Sequence, residues 1–208
     1  MFLLLVQLLL LFNVFNLPSI KDTVSFMQDP SYKIDIFGTH KGHRQMFRRM
    51  LEEHKFFHNG ELYFERCFER QALGELDIVL AWKDGVGHSG LEEQAVGYAL
   101  LNWQPKYALF KKCDIPEIQD LNVIGEHRRQ GIGRSVIEFC ERRASKNGFT
   151  QMGIGVGLDA SFGAAQRLYI GMGYIPDGSG ISYDRKQVAA GEFRPIDENL
   201  CLMMSKLI

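Results

Sequence analysis

Arg128-Arg129-Gln130-Gly131-Ile132-Gly133-Arg134 sets three arginines around two glycines that are one residue apart. Glycine lets the backbone come close to a ligand, because no β-carbon stands in the way. Where such a segment enters a helix, the first-turn amides point outward and the helix dipole adds positive potential. That combination suits an anion, and a pyrophosphate well. Arg128, Arg129 and Arg134 add charge that phosphate oxygens can use directly. The spacing is neither GxxxxGK[ST] nor GxGxxG, so the P-loop and the dinucleotide fingerprint are both absent. Taken alone, a GxG at a strand-to-helix turn is a weak signal and is also compatible with a purely structural turn.

The other chemistry-bearing residue types do not cluster. Cys67, Cys113, Cys140 and Cys201 lie far apart, and the six histidines form no HExxH or similar pair. No metal cofactor is expected, and the cysteines read as buried small hydrophobes in a reducing compartment. A cytoplasmic location follows from that reading. Hydrophobic residues at 46% and charged residues at 24% exclude wholesale disorder, a collagen-like chain and a polytopic membrane protein. With 24 Lys and Arg against 25 Asp and Glu, the formal charge of -1 gives no reason to expect a nucleic-acid partner.

The glycine loop needs a strand before it and a helix after it, and the hydrophobic pattern supplies both. Glu117 to Ile124 alternates as a strand, and Ile132, Val136, Phe139 and Cys140 recur at helical spacing up to Asn147-Gly148. Upstream, Tyr32 to Ile36 predicts a first strand. Phe47, Met50, Leu51 and His54 mark one helix, and Glu61 to Ala72 a second. Leu76 to Trp82 and Ala95 to Trp103 predict a hairpin. Downstream come Met152 to Leu158, a strand thinned by glycine, and a short helix over Phe162 to Met172. Ile181 to Tyr183 and Leu200 to Met204 can close the sheet. The picture is one α/β domain over residues 27–208.

Residues 1–26 form a hydrophobic extension. Its run FLLLVQLLLLFNVF is short for a membrane span, lacks the basic start of a secretory signal and has no A-x-A-like cleavage site. Three explanations stand: a start assigned upstream of Met27, a hydrophobic helix that packs on the domain, a partner or a membrane, or a true signal. Membrane contact would have to run through residues 2–15.

RxxGxG, from Arg128 through Gly131 to Gly133, resembles motif A of the GNAT superfamily of N-acetyltransferases. Ala165-Gln166-Arg167-Leu168-Tyr169-Ile170-Gly171-Met172-Gly173-Tyr174 is similar to its motif B, A-x-x-L-Y-x-x-x-G-F/Y. The resemblance covers roughly residues 32–208. It implies a single GNAT-like domain with a central, mixed, mostly antiparallel sheet of about six to seven strands and about four flanking helices. The sheet would be splayed between the fourth and fifth strands.

The same resemblance implies acetyl-CoA as cosubstrate. Backbone groups of Arg129, Gln130, Gly131, Ile132, Gly133 and Arg134 would hold its pyrophosphate with the charge of Arg128 beside them, and Leu121, Asn122 and Val123 would pair with the pantetheine arm. Glu117 stands eleven residues before the motif A arginine, where several members carry the general base. Asp120 is a second carboxylate; on a regular strand it faces away from Glu117, and a bulge would reverse that. Tyr169 matches the tyrosine that protonates the departing thiolate. Many members carry asparagine three residues before the motif B alanine, where this chain has Phe162. Each role has a plainer counterpart: Glu117 and Asp120 as solvated strand carboxylates, Tyr169 as a core aromatic.

The implied function is acetyl transfer to a primary amine by direct attack in a ternary complex, with a small molecule or a peptide as acceptor. The alternative is a non-catalytic acyl-CoA-binding or interaction domain that retains the fold. Homodimerisation is left open.

Overall fold

A computed structural model describes residues 32–39, 41–54, 61–87 and 90–208. The expectations for residues 1–26 lie outside them. β1 (Tyr32–Ile36) leads to α1 (His43–Glu53) and α2 (Glu61–Ala72). β2 (Leu76–Gly87) and β3 (Gly90–Asn102) form a long antiparallel hairpin. After α3 (Ala108–Lys112) come β4 (Glu117–Val123), α4 (Ile132–Lys146) and β5 (Gln151–Gly157). α5 (Gly163–Gly171), β6 (Ile175–Tyr183), β7 (Lys186–Gln187) and β8 (Leu200–Leu207) complete the order.

The strands form one mixed sheet in the order β1-β2-β3-β4-β5-β8-β6-β7, in which β4 and β5 are parallel and every other pair is antiparallel. Among the described residues the sheet has eight strands and the chain five α-helices, one of each beyond the sequence expectation. The additions are β7, two residues long, and α3, five residues long; neither is long enough to show a hydrophobic period.

The middle of β2 is buried on both faces: Ile78, Val79, Leu80 and Ala81 have no exposed surface. That is why it reads as a continuous apolar run rather than an alternating one. α1 and α2 pack on β3 and β2, and α4 lies across β1 to β5. Each helix contributes one apolar stripe: Met46, Phe47, Met50 and Leu51 from α1, and Val136, Ile137, Cys140 and Ala144 from α4. A smaller cluster of Tyr107, Phe110, Ile115, Cys201 and Met203 forms separately.

β5 divides its two faces sharply. Met152, Ile154 and Val156 are buried in the larger core, while Gly153, Gly155 and Gly157 alternate with them. A β-carbon on each glycine would collide with the Phe110 ring, crowd the Arg185 guanidinium and collide with the Phe162 ring, in that order. The glycine thinning therefore empties one face so that three large side chains can lie against it.

The end of α5 accounts for the G-Y that closes motif B. The Tyr174 amide donates to the Tyr169 carbonyl and the Gly173 amide to the Ile170 carbonyl, each at 3.0 Å, with Gly173 at φ +91°. This is a Schellman cap, which needs a left-handed residue after the helix and an apolar residue beyond it. It brings the Tyr174 ring within 6.2 Å of the Tyr169 ring, centroid to centroid.

Candidate active site

Parallel pairing between β4 and β5 is confined to Glu117 with Gly153 and Ile118 with Ile154. Beyond those pairs the strands part. Asn122 and Val123 remain bonded to Tyr98 and Gly97 of β3, whereas Gly155, Val156 and Gly157 pair with β8. The facing edges of Leu121–Val123 and Gly155–Gly157 thus border a wedge without a shared ladder. Such an edge can accept an extended chain that carries its own amides. Leu121, Asn122 and Val123 are all half-buried there.

The open end of the wedge meets the glycine loop. Gly131 caps α4 at φ +86°, a conformation that favours glycine, and Arg129 is also left-handed at φ +64°. The first intrahelical bond runs from the Ser135 amide to the Gly131 carbonyl at 3.0 Å, so the turn ahead of it directs amides outward. The Arg128 guanidinium folds back and donates to the Val123 carbonyl at 2.8 Å. Gln130 donates to the Glu126 carbonyl at 2.9 Å and accepts from the Tyr32 hydroxyl. These two side chains brace the loop. Arg129 is exposed, and Arg134 lies 4.0 Å from Glu138 on the next turn. Ile132 is buried as the root of the helix, and a β-carbon on Gly133 would stand 3.5 Å from Leu168 on α5.

Glu117 lies at the closed end of the wedge and is completely buried. Its Oε2 accepts from Gln119 Nε2 at 2.8 Å. Its Oε1 is 2.9 Å from Arg185 Nη2, an ion pair without the alignment of a hydrogen bond. Burial raises the pKa of the carboxyl, while the Arg185 charge and then the Gln119 bond oppose the rise.

Asp120 has φ +50°, and the β3–β4 register shifts between Tyr98 and Leu100. Two residues of β4 are accommodated opposite one of β3, which is a β-bulge. The bulge breaks the strict alternation, so Asp120 and Glu117 both feel the Arg185 charge and Asp120 raises the Glu117 pKa. Burial also pushes the Asp120 carboxyl up, against the Tyr63 hydroxyl that donates to it and against Arg185. Tyr63 in turn is held neutral by burial and by the Asp120 charge.

Tyr169 is 5% exposed on α5, and burial alone pushes its phenol up to about 12. Phe162 fills the face vacated by Gly157 and packs against the core. Tyr63, Gln119 and Arg185 belong to the same site and were not among the sequence candidates. Arg185 lies between the motif B helix and the last strand, and no motif marks it. Of the cysteines, Cys67, Cys140 and Cys201 are buried, whereas Cys113 is exposed, against the expectation that all four are interior. Among the described residues no group of His, Cys, Asp and Glu is arranged to hold a metal ion, and no helix is long and apolar enough to cross a membrane.

A sequence model of the acetyltransferase (GNAT) family matches residues 44–174. No curated protein matches the chain closely enough to count as a relative. Among solved structures, a protein from Desulfovibrio desulfuricans assigned to the GNAT family of acetyltransferases is 12% identical with a TM-score of 0.58, over 85% of this chain and 98% of its own. An Elizabethkingia anophelis GNAT family acetyltransferase with acetyl-CoA bound is 15% identical with a TM-score of 0.52, over 86% and 99% of the two chains. An aminoglycoside 6'-N-acetyltransferase complexed with coenzyme A is 14% identical with a TM-score of 0.56, over 84% and 96%. At these identities the likeness is one of fold.

Proposed function

Because the chain belongs to the acetyltransferase (GNAT) family, we propose that it is an acetyl-CoA-dependent N-acetyltransferase that moves an acetyl group to a primary amine by direct attack in a ternary complex. The observation that carries this reading is the wedge between β4 and β5, with an outward-facing amide turn at its open end and Glu117 at its closed end. Acetyl-CoA or coenzyme A in two structures of like fold supports it. In this reading the edge of Leu121, Asn122 and Val123 pairs with the pantetheine arm, and the Arg128–Arg134 turn takes the pyrophosphate.

The amine nitrogen attacks the thioester carbonyl carbon, so a C–N bond forms and the C–S bond breaks. An amine near pKa 10 arrives protonated at neutral pH and must first lose a proton. Glu117 accepts it; since the carboxylate is fully buried, the proton travels through water entering along the wedge. Asp120 is the second carboxylate able to take part. Tyr169, kept protonated by burial, gives its proton to the departing sulfur.

The complete burial of Glu117 against Arg185 favours one rival, a non-catalytic acyl-CoA-binding domain in which the pair is structural. Thiol release from acetyl-CoA with a mixed panel of primary amines separates the two. The enzyme turns over with at least one amine, and the binding domain holds acetyl-CoA without turnover.

A further inference from the structure

We propose that Arg185 is a positioning residue: a hairpin turn drives its guanidinium into the space left by Gly155, where it holds the buried Glu117 carboxylate ionised and fixed at the closed end of the wedge. The proposal rests on the reading of Glu117 as the base, and adds the group that makes a base in that location workable.

Asp184 and Arg185 form the two-residue connection between the paired residues Tyr183 and Lys186, with φ +47° and +63°. Two consecutive left-handed residues define the tight turn that matches a right-twisted hairpin, and Asn-Gly usually supplies them. Here aspartate tolerates the first position but arginine holds the second, where glycine is usual, so the turn is strained there and persists because its surroundings hold it. The holders are specific. The Asp184 amide donates to the Asn199 carbonyl at 3.0 Å, and the Tyr183 hydroxyl donates to Asp197 at 2.8 Å. The turn directs Arg185 across β5, where a β-carbon on Gly155 would stand 3.1 Å from its Nη1.

The groups facing Glu117 come from four segments: Gln119 and Asp120 of its own strand, Tyr107 ahead of α3, Cys201 of β8, and Arg185. Burial keeps the Tyr107 phenol and the Cys201 thiol neutral, and Asp120 opposes ionisation of its neighbour. The positive charge in this set is Arg185. A carboxyl so fully buried takes up a proton unless a cation offsets its desolvation, and a protonated carboxyl accepts no proton from an amine.

The test measures kcat/KM against pH at saturating acetyl-CoA for the parent, Arg185→Met, Arg185→Lys and Glu117→Gln. In parallel, the Glu117 carboxyl is titrated by carbon-13 NMR, its resonance assigned by loss in Glu117→Gln. The expected result is that Arg185→Met moves the acid limb and the NMR midpoint up by about one pH unit or more, and that Arg185→Lys restores most of the shift. If Arg185→Met does not fold, Gly155→Val, which fills the space, moves the same limb in the same direction. An acid limb and an NMR midpoint left at their parent values overturn the proposal while Glu117→Gln remains impaired. Parent activity in Glu117→Gln instead overturns the reading of Glu117 as base.

Discussion

The Tyr63 hydroxyl donates a hydrogen bond to Asp120 Oδ2, tying α2 to the bulge in β4. The contact joins residues from separate parts of the fold and explains how a left-handed aspartate survives inside a strand. Asp120 costs backbone strain and desolvation at once, and the phenol offsets part of the second term. The bulge is also where β4 leaves β5, so the same bond helps to keep the wedge open.

Tyr63→Phe keeps the ring and removes the donor. The expected loss is on the order of 1–3 kcal/mol at a pH above the raised Asp120 pKa and smaller at one below it, because protonated Asp120 needs the donor less. Urea unfolding at the two pH values checks it. An equal loss at both would place the effect in ring packing.

Asp120→Asn tests the sign of the linkage. The folded-state pKa of Asp120 is raised, so the native state binds more protons than the unfolded chain above about pH 4. Its contribution to stability is full below the unfolded value and is lost as pH rises through the folded one. The variant should therefore gain on the parent in stability as pH increases over that range. Chemical denaturation at a series of pH values measures the difference, and a parallel pair of curves contradicts the shift.

Gly131→Glu places a side chain at φ +86° and a like charge where phosphate is expected. Calorimetry should find no acetyl-CoA binding by a protein that retains its circular dichroism. Unchanged affinity would move the pyrophosphate away from this turn.

Much of this architecture was legible in the chain. The helix expected over Glu61 to Ala72 matches α2 to the residue, and the glycine-thinned strand expected over Met152 to Leu158 lies one residue from Gln151–Gly157 at each end. The loop and the motif B helix were legible because glycine and its capping geometry leave a local imprint, as at Gly131 and Gly173. What stayed hidden depends on distant partners or on rule-breaking backbone. Asp114 closes α3 in the left-handed conformation usually given to glycine, so that helix lacks its stop signal. Asp184-Arg185 makes a hairpin turn without Asn-Gly, which conceals both β7 and the residue facing Glu117. The Asp120 bulge could be allowed for in advance, but its contact with Tyr63 follows only from packing.

Tyr169→Phe separates proton donation from packing, because the ring is retained. A donor role predicts a moderate loss, about 10- to 1000-fold in single-turnover rate, since a thiolate is a tolerable leaving group. Acetyl-CoA affinity should hardly change. A parent-like single-turnover rate would make Tyr169 a core aromatic.

The most direct measurement follows thiol release from acetyl-CoA and the mass of the acetylated amine, for the parent and for Glu117→Gln, across a panel of primary amines. As an N-acetyltransferase, the parent should form an N-acetylated product with at least one of them. Glu117→Gln should then lose about 10²- to 10⁴-fold in kcat/KM while binding acetyl-CoA as the parent does. A parent that binds acetyl-CoA yet acetylates none of the amines, or a Glu117→Gln variant that matches the parent, would contradict this function.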